Sequence, residues 1–216
     1  MTSTEAQGLR DILDGTFQEA RETTDRFLKE QGPLVLTAAV NIFESLRQGN
    51  TVYLVGNGGS AAQAQHIAAE FVGRFKDERR PLPAHALTVD GAVLTAIAND
   101  YGFEYVFSRQ LQAHARGGDI VLLLSTSGSS QNVVRAAEVC RAKNILTIGL
   151  MGQRALIPPV LERLVNIALI THGSTARIQE THLLVGHVLC DMVEQLLANA
   201  AKLPSRDASF HRDQCC

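Results

Sequence analysis

The sequence has little net charge and no apolar segment long enough to suggest a membrane span. Its formal net charge of −2 provides no general basic surface, so nucleic-acid binding through bulk electrostatics is disfavoured. No apolar run approaches the roughly 20 residues of a transmembrane helix. The first ten residues also lack the basic start and apolar core of a signal peptide. These absences predict a cytoplasmic protein that binds neither nucleic acid nor membrane.

Cysteine is also scarce, and its four copies are Cys140, Cys190, Cys215 and Cys216. In the expected cytoplasmic compartment, these predict free thiols rather than a disulfide framework. The two terminal cysteines could indicate lipidation or, with His211, a metal clip. A flexible tail over residues 204–216 is the better interpretation of this segment.

What the chain does have is an alternation of helical segments with short apolar runs. Candidate strands lie at residues 51–55, 84–89, 120–124, 145–150 and 165–170, and candidate helices at 60–75, 91–99, 104–116, 130–143 and 175–201. The strands are continuously apolar, which is typical of a mostly parallel sheet covered by helices on both faces. The sequence therefore predicts an α/β fold in a single domain over residues 1–203, with a helical segment at 1–48 and an α/β core at 49–203.

The N-terminal segment at residues 4–48 shows apolar residues at helical spacing. Gly32 and Pro33 interrupt this segment, so we expect two helices rather than one. Both helices have apolar faces to cover, and packing against a second subunit is one way to cover them.

A glycine-rich turn, Gly56-Asn57-Gly58-Gly59-Ser60, follows the first predicted strand and opens a helix that carries His66 and Glu70. Residues four apart lie on the same face of a helix. The two side chains can therefore converge on one point as metal ligands or as an acid/base pair.

The same turn fits a looser form of the dinucleotide-binding fingerprint, which needs an acidic residue at the end of the next strand, about 20 residues on. Asp77 and Glu78 lie at that distance, but within a polar turn. Nucleotide binding is therefore disfavoured. A tight turn that needs glycine only for its backbone angles remains an alternative.

A hydroxyl-rich loop, Ser125-Thr126-Ser127-Gly128-Ser129-Ser130, connects a predicted buried strand to a helix. Ligands of open α/β sheets bind at such positions, and a helix start offers free N–H groups and partial positive charge. The run suits a phosphate monoester, whereas the missing Gly-Lys-Ser/Thr ending excludes a Walker-type loop. A simple serine N-cap is the alternative.

The last predicted helix carries Gln179, His182 and His187. Gln179 and His187 are eight residues apart, about 12 Å along a helix, so they meet at one ion only if they reach toward each other or if two chains share the site. His182 is interpreted as a hydrogen-bonded core residue. The spacing leaves the role of His187 open.

Together these segments resemble the phosphoheptose isomerases, which have the sugar isomerase (SIS) fold. The resemblance runs from about residue 10 to 198 with the motifs in the same order. It is carried by the glycine turn, Gln65-His66-x-x-x-Glu70, Ala98-Asn99-Asp100, Ser125-Thr126-Ser127-Gly128-x-Ser130 and Arg177-Ile178-Gln179-Glu180-x-His182-x-x-x-x-His187.

This resemblance implies a flavodoxin-like SIS fold assembled as a homotetramer, with the N-terminal helices at an oligomer interface. It implies conversion of D-sedoheptulose 7-phosphate to D-glycero-D-manno-heptose 7-phosphate, the first step of nucleotide-activated heptose synthesis. One zinc ion per subunit would be bound by His66, Glu70, Gln179 and His187. Substrate would contact Asn57, Gly58, Gly59, Ser60, Glu70, Asn99, Asp100, Ser125, Thr126, Ser127, Ser130 and Gln179.

Aldose–ketose interconversion through an enediol needs a base near carbon and an acid near the carbonyl oxygen. We assign Glu70 as the base and His187 as the acid. Zinc would polarise the carbonyl. Because Glu70 cannot easily be both a tight ligand and a free base, these two assignments compete.

Two departures from the family pattern stand out. Ala176 replaces an aspartate found in some members, and residues 151–154 lack a frequent Gly-x-Asp-Gly-Gly turn. Two other functions are also considered. One is a non-catalytic SIS-fold adaptor of the replication initiator, whose relatives lack counterparts of Glu70 and His187. The other is a sugar-phosphate-sensing regulatory domain, which would need no catalytic pair.

Overall fold

The computed structural model describes residues 2–153 and 158–202. The predicted tail at 204–216, with its two cysteines and His211, lies outside the described residues, and so does Arg154.

Five strands form one fully parallel sheet at the centre of the described structure. They are β1 (Val52–Gly56), β2 (Ala84–Ala86), β3 (Ile120–Ser125), β4 (Leu146–Gln153) and β5 (Ile167–His172). Their order is β2-β1-β3-β4-β5, and every neighbouring pair is parallel. This is the flavodoxin-like order, so the predicted α/β fold class is confirmed.

Six helices surround the sheet. They are α1 (Ser3–Arg47), α2 (Gly59–Val72), α3 (Gly91–Tyr101), α4 (Ser108–His114), α5 (Gln131–Ala142) and α6 (Thr175–Lys202). Two 3₁₀ turns occupy Phe103–Tyr105 and Val160–Arg163.

The sheet has a separate apolar core on each face. Because successive strand residues point to opposite faces, Leu54 packs with α1, α2 and α6, whereas Val55 packs with α4 and α5. All five β1 residues are buried. This burial on both sides explains why the strand segments are apolar without alternation.

The prediction of two helices over residues 4–48 is wrong, because α1 is one helix of 45 residues with Pro33 inside it. A proline within a helix removes one backbone hydrogen bond and costs about 3 kcal/mol. Phe27 lies before Pro33, Val35 and Ile42 lie after it, and all three are buried in the same core. This continuous packing against the rest of the subunit outweighs the local break.

Several other element ends differ from prediction. The strand predicted to reach residue 89 ends at Ala86, and the helix predicted to reach residue 75 ends at Val72, with Gly73 as its C-cap. Residues 104–116 contain a 3₁₀ turn and the short α4 rather than one helix. The shortened α2 leaves residues 73–83 as a loop that packs on α6.

Contrary to the sequence-based expectation, one helix passes a length and composition test for a membrane span. It is the 175–200 part of α6, with a mean hydropathy of 1.2. Leu189 and Val193 on this helix are fully buried, while Asp191 and Glu194 make ion pairs. These contacts attach one face of the helix to the α/β domain.

Cys140 and Cys190 are buried free thiols, as predicted for these two positions. Burial raises the pKa of each thiol to about 12. Both side chains are therefore protonated and act as small apolar groups.

His182 is also a core residue, with 1% of its surface exposed. Burial lowers the pKa of its imidazole to about 4, and the Met151 backbone only partly opposes this shift. Among the described residues, neither ring nitrogen has a partner within hydrogen-bond geometry. The predicted core position is right, and the Met151 backbone approaches the ring as a hydrogen-bonding group, although outside strict hydrogen-bond geometry.

We predict that His182 makes folding stability depend on pH between about 4 and 6.5. Below about pH 6.5 the unfolded chain binds a proton at this histidine, while the folded chain does so only near pH 4. The free energy of unfolding should therefore fall as the pH drops through this window, by up to about 1.4 kcal/mol per pH unit from this group. Urea unfolding of wild type and His182→Leu at several pH values measures the difference. Parallel pH dependences in the two proteins would contradict the prediction.

Candidate active site

The two loops singled out in the sequence lie side by side at the carboxyl edge of the sheet. Gly56 at the end of β1 pairs in register with Leu124 near the end of β3, so the loops that follow these strands are neighbours. The Asn57 and Asn132 side chains join them through two reciprocal amide hydrogen bonds of 2.8 Å each. This pair ties the glycine turn to the first turn of α5.

The glycine turn is shaped by one residue with positive φ and by one close side-chain approach. Gly58 has φ +53° and precedes α2, a conformation that side chains other than glycine rarely adopt. A Cβ atom on Gly59 would lie 2.5 Å from Gln179 Nε2. Backbone angles alone therefore do not explain this turn, because Gly59 leaves room for a polar side chain from α6.

The dinucleotide interpretation finds no support in this geometry. Asp77 and Glu78 lie in the loop between α2 and β2, not at the end of a strand. The Asp77 backbone N–H donates to Glu194 Oε1 at 2.9 Å. The acidic partner that a dinucleotide ribose requires is thus absent from the end of β2.

The hydroxyl loop after β3 is held partly by its own side chains. Ser125 Oγ accepts from the Gly128 N–H at 3.1 Å, and Ser127 Oγ accepts from the Ser129 N–H at 3.3 Å. Ser130 occupies the N-cap position of α5, yet its side chain makes no capping hydrogen bond. A simple serine N-cap therefore does not explain Ser130, whose hydroxyl lies at a helix start, where anions are favoured.

Three ionisable side chains from α2 and α6 converge on one point. His66 Nε2 lies 2.8 Å from His187 Nε2 and 3.4 Å from Glu70 Oε1. The His66 side chain is 46% exposed and the Glu70 side chain 22%, so small molecules can reach the cluster. His66 and Glu70 share a face of α2, as their spacing predicts, and α6 supplies His187 from the same subunit.

These three residues are suited to holding a metal ion, since one ligand atom from each lies within 4.8 Å of the other two. A tetrahedral zinc ion with bonds of about 2.0–2.1 Å holds its ligand atoms roughly 3.3 Å apart. The separation of 3.4 Å between His66 and Glu70 matches this value. The two imidazole nitrogens would need to separate by about half an ångström.

Gln179 lies away from this cluster within one subunit. Its backbone carbonyl accepts from Gln63 Nε2 at 2.6 Å, and its side chain is next to Gly59. Gly59 and His66 are seven residues apart on α2, or about 10 Å along the helix axis. The structure therefore places Gln179 at the glycine turn, on the side of the predicted substrate contacts rather than beside the other three predicted zinc ligands.

The remaining predicted substrate residues occupy three places. Ser60 is buried at the start of α2, and Thr126 lies in the hydroxyl loop. Asn99 and Asp100 are exposed near the end of α3, where Asn99 Nδ2 donates to Asp100 Oδ1 at 2.8 Å. No hydrogen bond within the described residues joins this pair to the other predicted site residues.

The sequence interpretation missed one aromatic neighbour of the cluster. The Phe75 ring stacks on the His187 ring with centroids 5.6 Å apart and an interplanar angle of 29°. It was missed because the helix was expected to extend through residue 75. Gly73, a typical residue at helix ends, was the available signal that α2 stops earlier.

The structure locates one departure from the family pattern fully and the other in part. Ala176 is exposed in the first turn of α6. The segment after Leu150 continues as β4 through Gln153, beyond the strand end that the sequence suggested. A Cβ on Gly152 would collide with the backbone carbonyl of Thr126, so β4 passes very close to the hydroxyl loop.

Comparison with known proteins defines the class of the fold and then the family. A family model described as the SIS domain matches residues 17–152, so this is a sugar isomerase domain. A phosphoheptose isomerase of Nitratiruptor sp. is 46% identical over 184 residues, which cover 85% of this chain and 97% of that protein. The chain belongs to the phosphoheptose isomerase family, and it is an isomerase.

Solved structures agree with this assignment. Phosphoheptose isomerase GmhA from Neisseria gonorrhoeae superposes with a TM-score of 0.79 at 36% identity, covering 87% of this chain and 99% of that one. A phosphoheptose isomerase from Francisella tularensis gives a TM-score of 0.81 at 34% identity, covering 90% of this chain and all of that one. These relatives lend no support to the adaptor alternative.

Proposed function

We propose that this protein converts D-sedoheptulose 7-phosphate to D-glycero-D-manno-heptose 7-phosphate through an enediol. The single observation that carries this proposal is the convergence of His66, Glu70 and His187 at a solvent-accessible point between α2 and α6. A carboxylate and an imidazole a few ångströms apart are the groups that proton transfer between neighbouring carbon and oxygen atoms requires.

The two side chains have separate tasks in this reaction. The Glu70 carboxylate takes the proton from C1 of the ketose and returns it to C2 of the enediol. His187 gives a proton to the C2 oxygen and recovers one from the C1 hydroxyl as the aldehyde forms. Every proton that leaves the substrate skeleton is thus replaced, as an isomerisation demands.

His66, Glu70 and His187 would hold a zinc ion, which when bound would polarise the carbonyl and stabilise negative charge on the substrate oxygens. Three protein ligands with a free fourth position are typical of catalytic zinc sites. Gln179, predicted as the fourth ligand, is better placed to contact substrate at the glycine turn. The ligand role competes with the base role for Glu70 and with the acid role for His187, because an imidazole nitrogen bound to zinc has no proton to give.

The glycine turn and the hydroxyl loop are proposed to bind the phosphate end of the substrate. They lie at the carboxyl edge of the sheet, and Gly59 is about 10 Å along α2 from His66. Seven carbons joined by bonds of about 1.5 Å, with a phosphate added, span a similar length. One extended heptulose phosphate can therefore reach from the serine hydroxyls to the carboxylate and the imidazoles.

We also propose a cytoplasmic homotetramer in which α1 packs against other subunits. Leu9, Ile12, Leu13 and Phe17 are each more than half exposed on this helix. Farther along, an apolar cavity of about 520 Å³ opens between α1 and α6, lined by Leu28, Leu36 and Leu184 among others. Large exposed apolar patches of this kind mark protein interfaces.

Replacing the Glu70 carboxylate tests both the reaction and its base. We expect wild type to convert sedoheptulose 7-phosphate to the aldose, and to do so more slowly after treatment with a chelator. We expect Glu70→Gln to lower kcat by about 10²–10⁴-fold. Product formation is followed by NMR and bound zinc by metal analysis. Zinc loss that parallels the activity loss would favour the ligand role. Near-normal turnover in Glu70→Gln would contradict the base assignment.

Removing the Ser130 hydroxyl tests the phosphate site. Because this hydroxyl does not cap α5, Ser130→Ala should leave the free energy of unfolding nearly unchanged. Loss of one hydrogen bond to a phosphate should raise KM by roughly tenfold or more. The matched control is Asp90→Ala, which removes a true N-cap bond of 3.0 Å to the Val93 N–H and should cost about 1 kcal/mol of stability with KM unchanged. The opposite pattern in the two variants would contradict the assignment.

A charge on the apolar face of α1 tests the assembly. We expect wild type to have four times the 23.4 kDa subunit mass by light scattering, and Leu13→Glu to form smaller species because a buried unpaired charge is costly. Gln18→Glu adds the same charge at a polar position about 140° around α1 from Leu13 and should leave the mass unchanged. A monomeric wild type would refute the proposed tetramer.

A further inference from the structure

The loop between α2 and β2, residues 73–83, contacts both helices that carry the acid–base cluster. We call it the α2–β2 loop. None of its residues belongs to the site predicted from sequence. Its side chains and backbone nevertheless contact the end of α2. They also contact α6 at three residues, His187, Asp191 and Glu194.

Arg79 anchors this loop to the end of α2. Its guanidinium donates to the Glu70 carbonyl at 2.7 Å, to the Phe71 carbonyl at 2.9 Å and to the Gly73 carbonyl at 3.2 Å. These are last-turn carbonyls, which lack partners within the helix itself. Arg79 therefore fixes the backbone of Glu70, whose side chain belongs to the cluster.

Glu194 anchors the same loop to α6. Its side chain is 2% exposed and lies 3.6 Å from Arg79 Nε. It accepts from the backbone N–H groups of Lys76 at 3.0 Å and Asp77 at 2.9 Å. A carboxylate this deeply buried requires such partners, so the loop and α6 hold each other in one arrangement.

Two further contacts continue along α6 toward the cluster. Lys76 Nζ lies 2.5 Å from Asp191 Oδ2, and the Phe75 ring stacks on the His187 ring with 5.6 Å between centroids. His187, Asp191 and Glu194 follow each other at spacings of four and three residues, which places them on one face of α6. The loop thus contacts this face of α6 at His187, Asp191 and Glu194.

We propose that Phe75, supported by the Arg79–Glu194 pair, is a positioning residue that fixes the His187 imidazole against His66 and Glu70. Phe75 has no ionisable or ligating group of its own, and its contact with the cluster is the stack on the His187 ring, so it acts through His187. The stacked ring restricts rotation of the imidazole, and Arg79 with Glu194 fixes the loop that carries Phe75. This inference rests on the proposed function, because it assigns the ring a role at that same site.

The experiment compares Phe75→Leu, which keeps an apolar side chain of similar size, with Phe75→Tyr, which keeps the ring. We expect Phe75→Leu to weaken zinc binding by about 10- to 100-fold, as loss of a group that orients a ligand does. It should lower kcat while KM changes little. Phe75→Tyr should restore both. Zinc affinity is measured by competition with a chromogenic chelator.

An NMR measurement on metal-free protein separates failure of this inference from failure of the proposed function. In histidine-labelled wild type and Phe75→Tyr, the His66 and His187 rings should show a nuclear Overhauser effect, since their nitrogens are 2.8 Å apart. This effect should be lost in Phe75→Leu. Its persistence there would overturn the positioning role, whether or not the enzyme isomerises a heptose phosphate.

A second pair of variants tests the support from α6. Glu194→Gln should reduce zinc affinity in the same direction as Phe75→Leu. Glu78→Gln, the same change at an 88% exposed residue of the loop, should bind zinc like wild type. Wild-type zinc affinity in both Phe75→Leu and Glu194→Gln would overturn the proposal, as would a Phe75→Tyr variant no better than Phe75→Leu.

Discussion

The close approach of α2 and α6 is the constraint on which the site depends. The two helices leave the same edge of the sheet in the same direction, with Gly59 beside Gln179 and Ile67 against Gly186. A Cβ atom on Gly186 would collide with the Ile67 side chain, so glycine at this position lets the helices approach. His187 follows immediately and meets His66 at 2.8 Å. The packing of Gly186 against Ile67 thus brings the neighbouring His187 to His66 and Glu70 and forms the cluster of three ionisable groups.

This packing also separates the two ends of the site. The backbone turns and hydroxyls that suit an anion lie at the carboxyl edge of the sheet, where loops from β1 and β3 are neighbours. The groups that suit proton transfer lie about 10 Å farther along α2. Because residues 59–70 belong to one helix, the distance between the proposed phosphate site and the His66–Glu70–His187 cluster is set by a count of helical residues rather than by loop conformation. That arrangement favours a ligand of one length.

Much of this could be predicted from the sequence, and the parts that could not have physical reasons. The continuously apolar strands indicated a parallel sheet, and the spacing of His66 and Glu70 indicated their common face. Contacts between segments that are far apart in the sequence could not be predicted. Nothing in the spacing of Gln179 and His187 shows that one lies at the glycine turn and the other beside His66, because this depends on how α6 packs on α2. The prediction of a helix break at Pro33 was wrong for a similar reason. Buried residues on both sides of this proline stabilise a helix that local preference would break.

The uninterrupted α1 has a consequence for the whole assembly. Its second half is held by the core through residues such as Val35 and Ile42, whereas its first half is mostly exposed, with apolar side chains on the surface. Buried Arg177, near the start of α6, donates to the Thr16 carbonyl at 2.9 Å and pairs with Glu180. It thereby links the exposed half of α1 to the helix that carries Gln179 and His187. Most helical stability in proteins comes from packing of an apolar face rather than from intrinsic propensity, so contacts that cover Leu13 and Phe17 would stabilise α1 and, through Arg177, the end of α6 next to the glycine turn. In the proposed assembly, contacts between subunits would in this way be connected to the geometry of the site through one buried side chain.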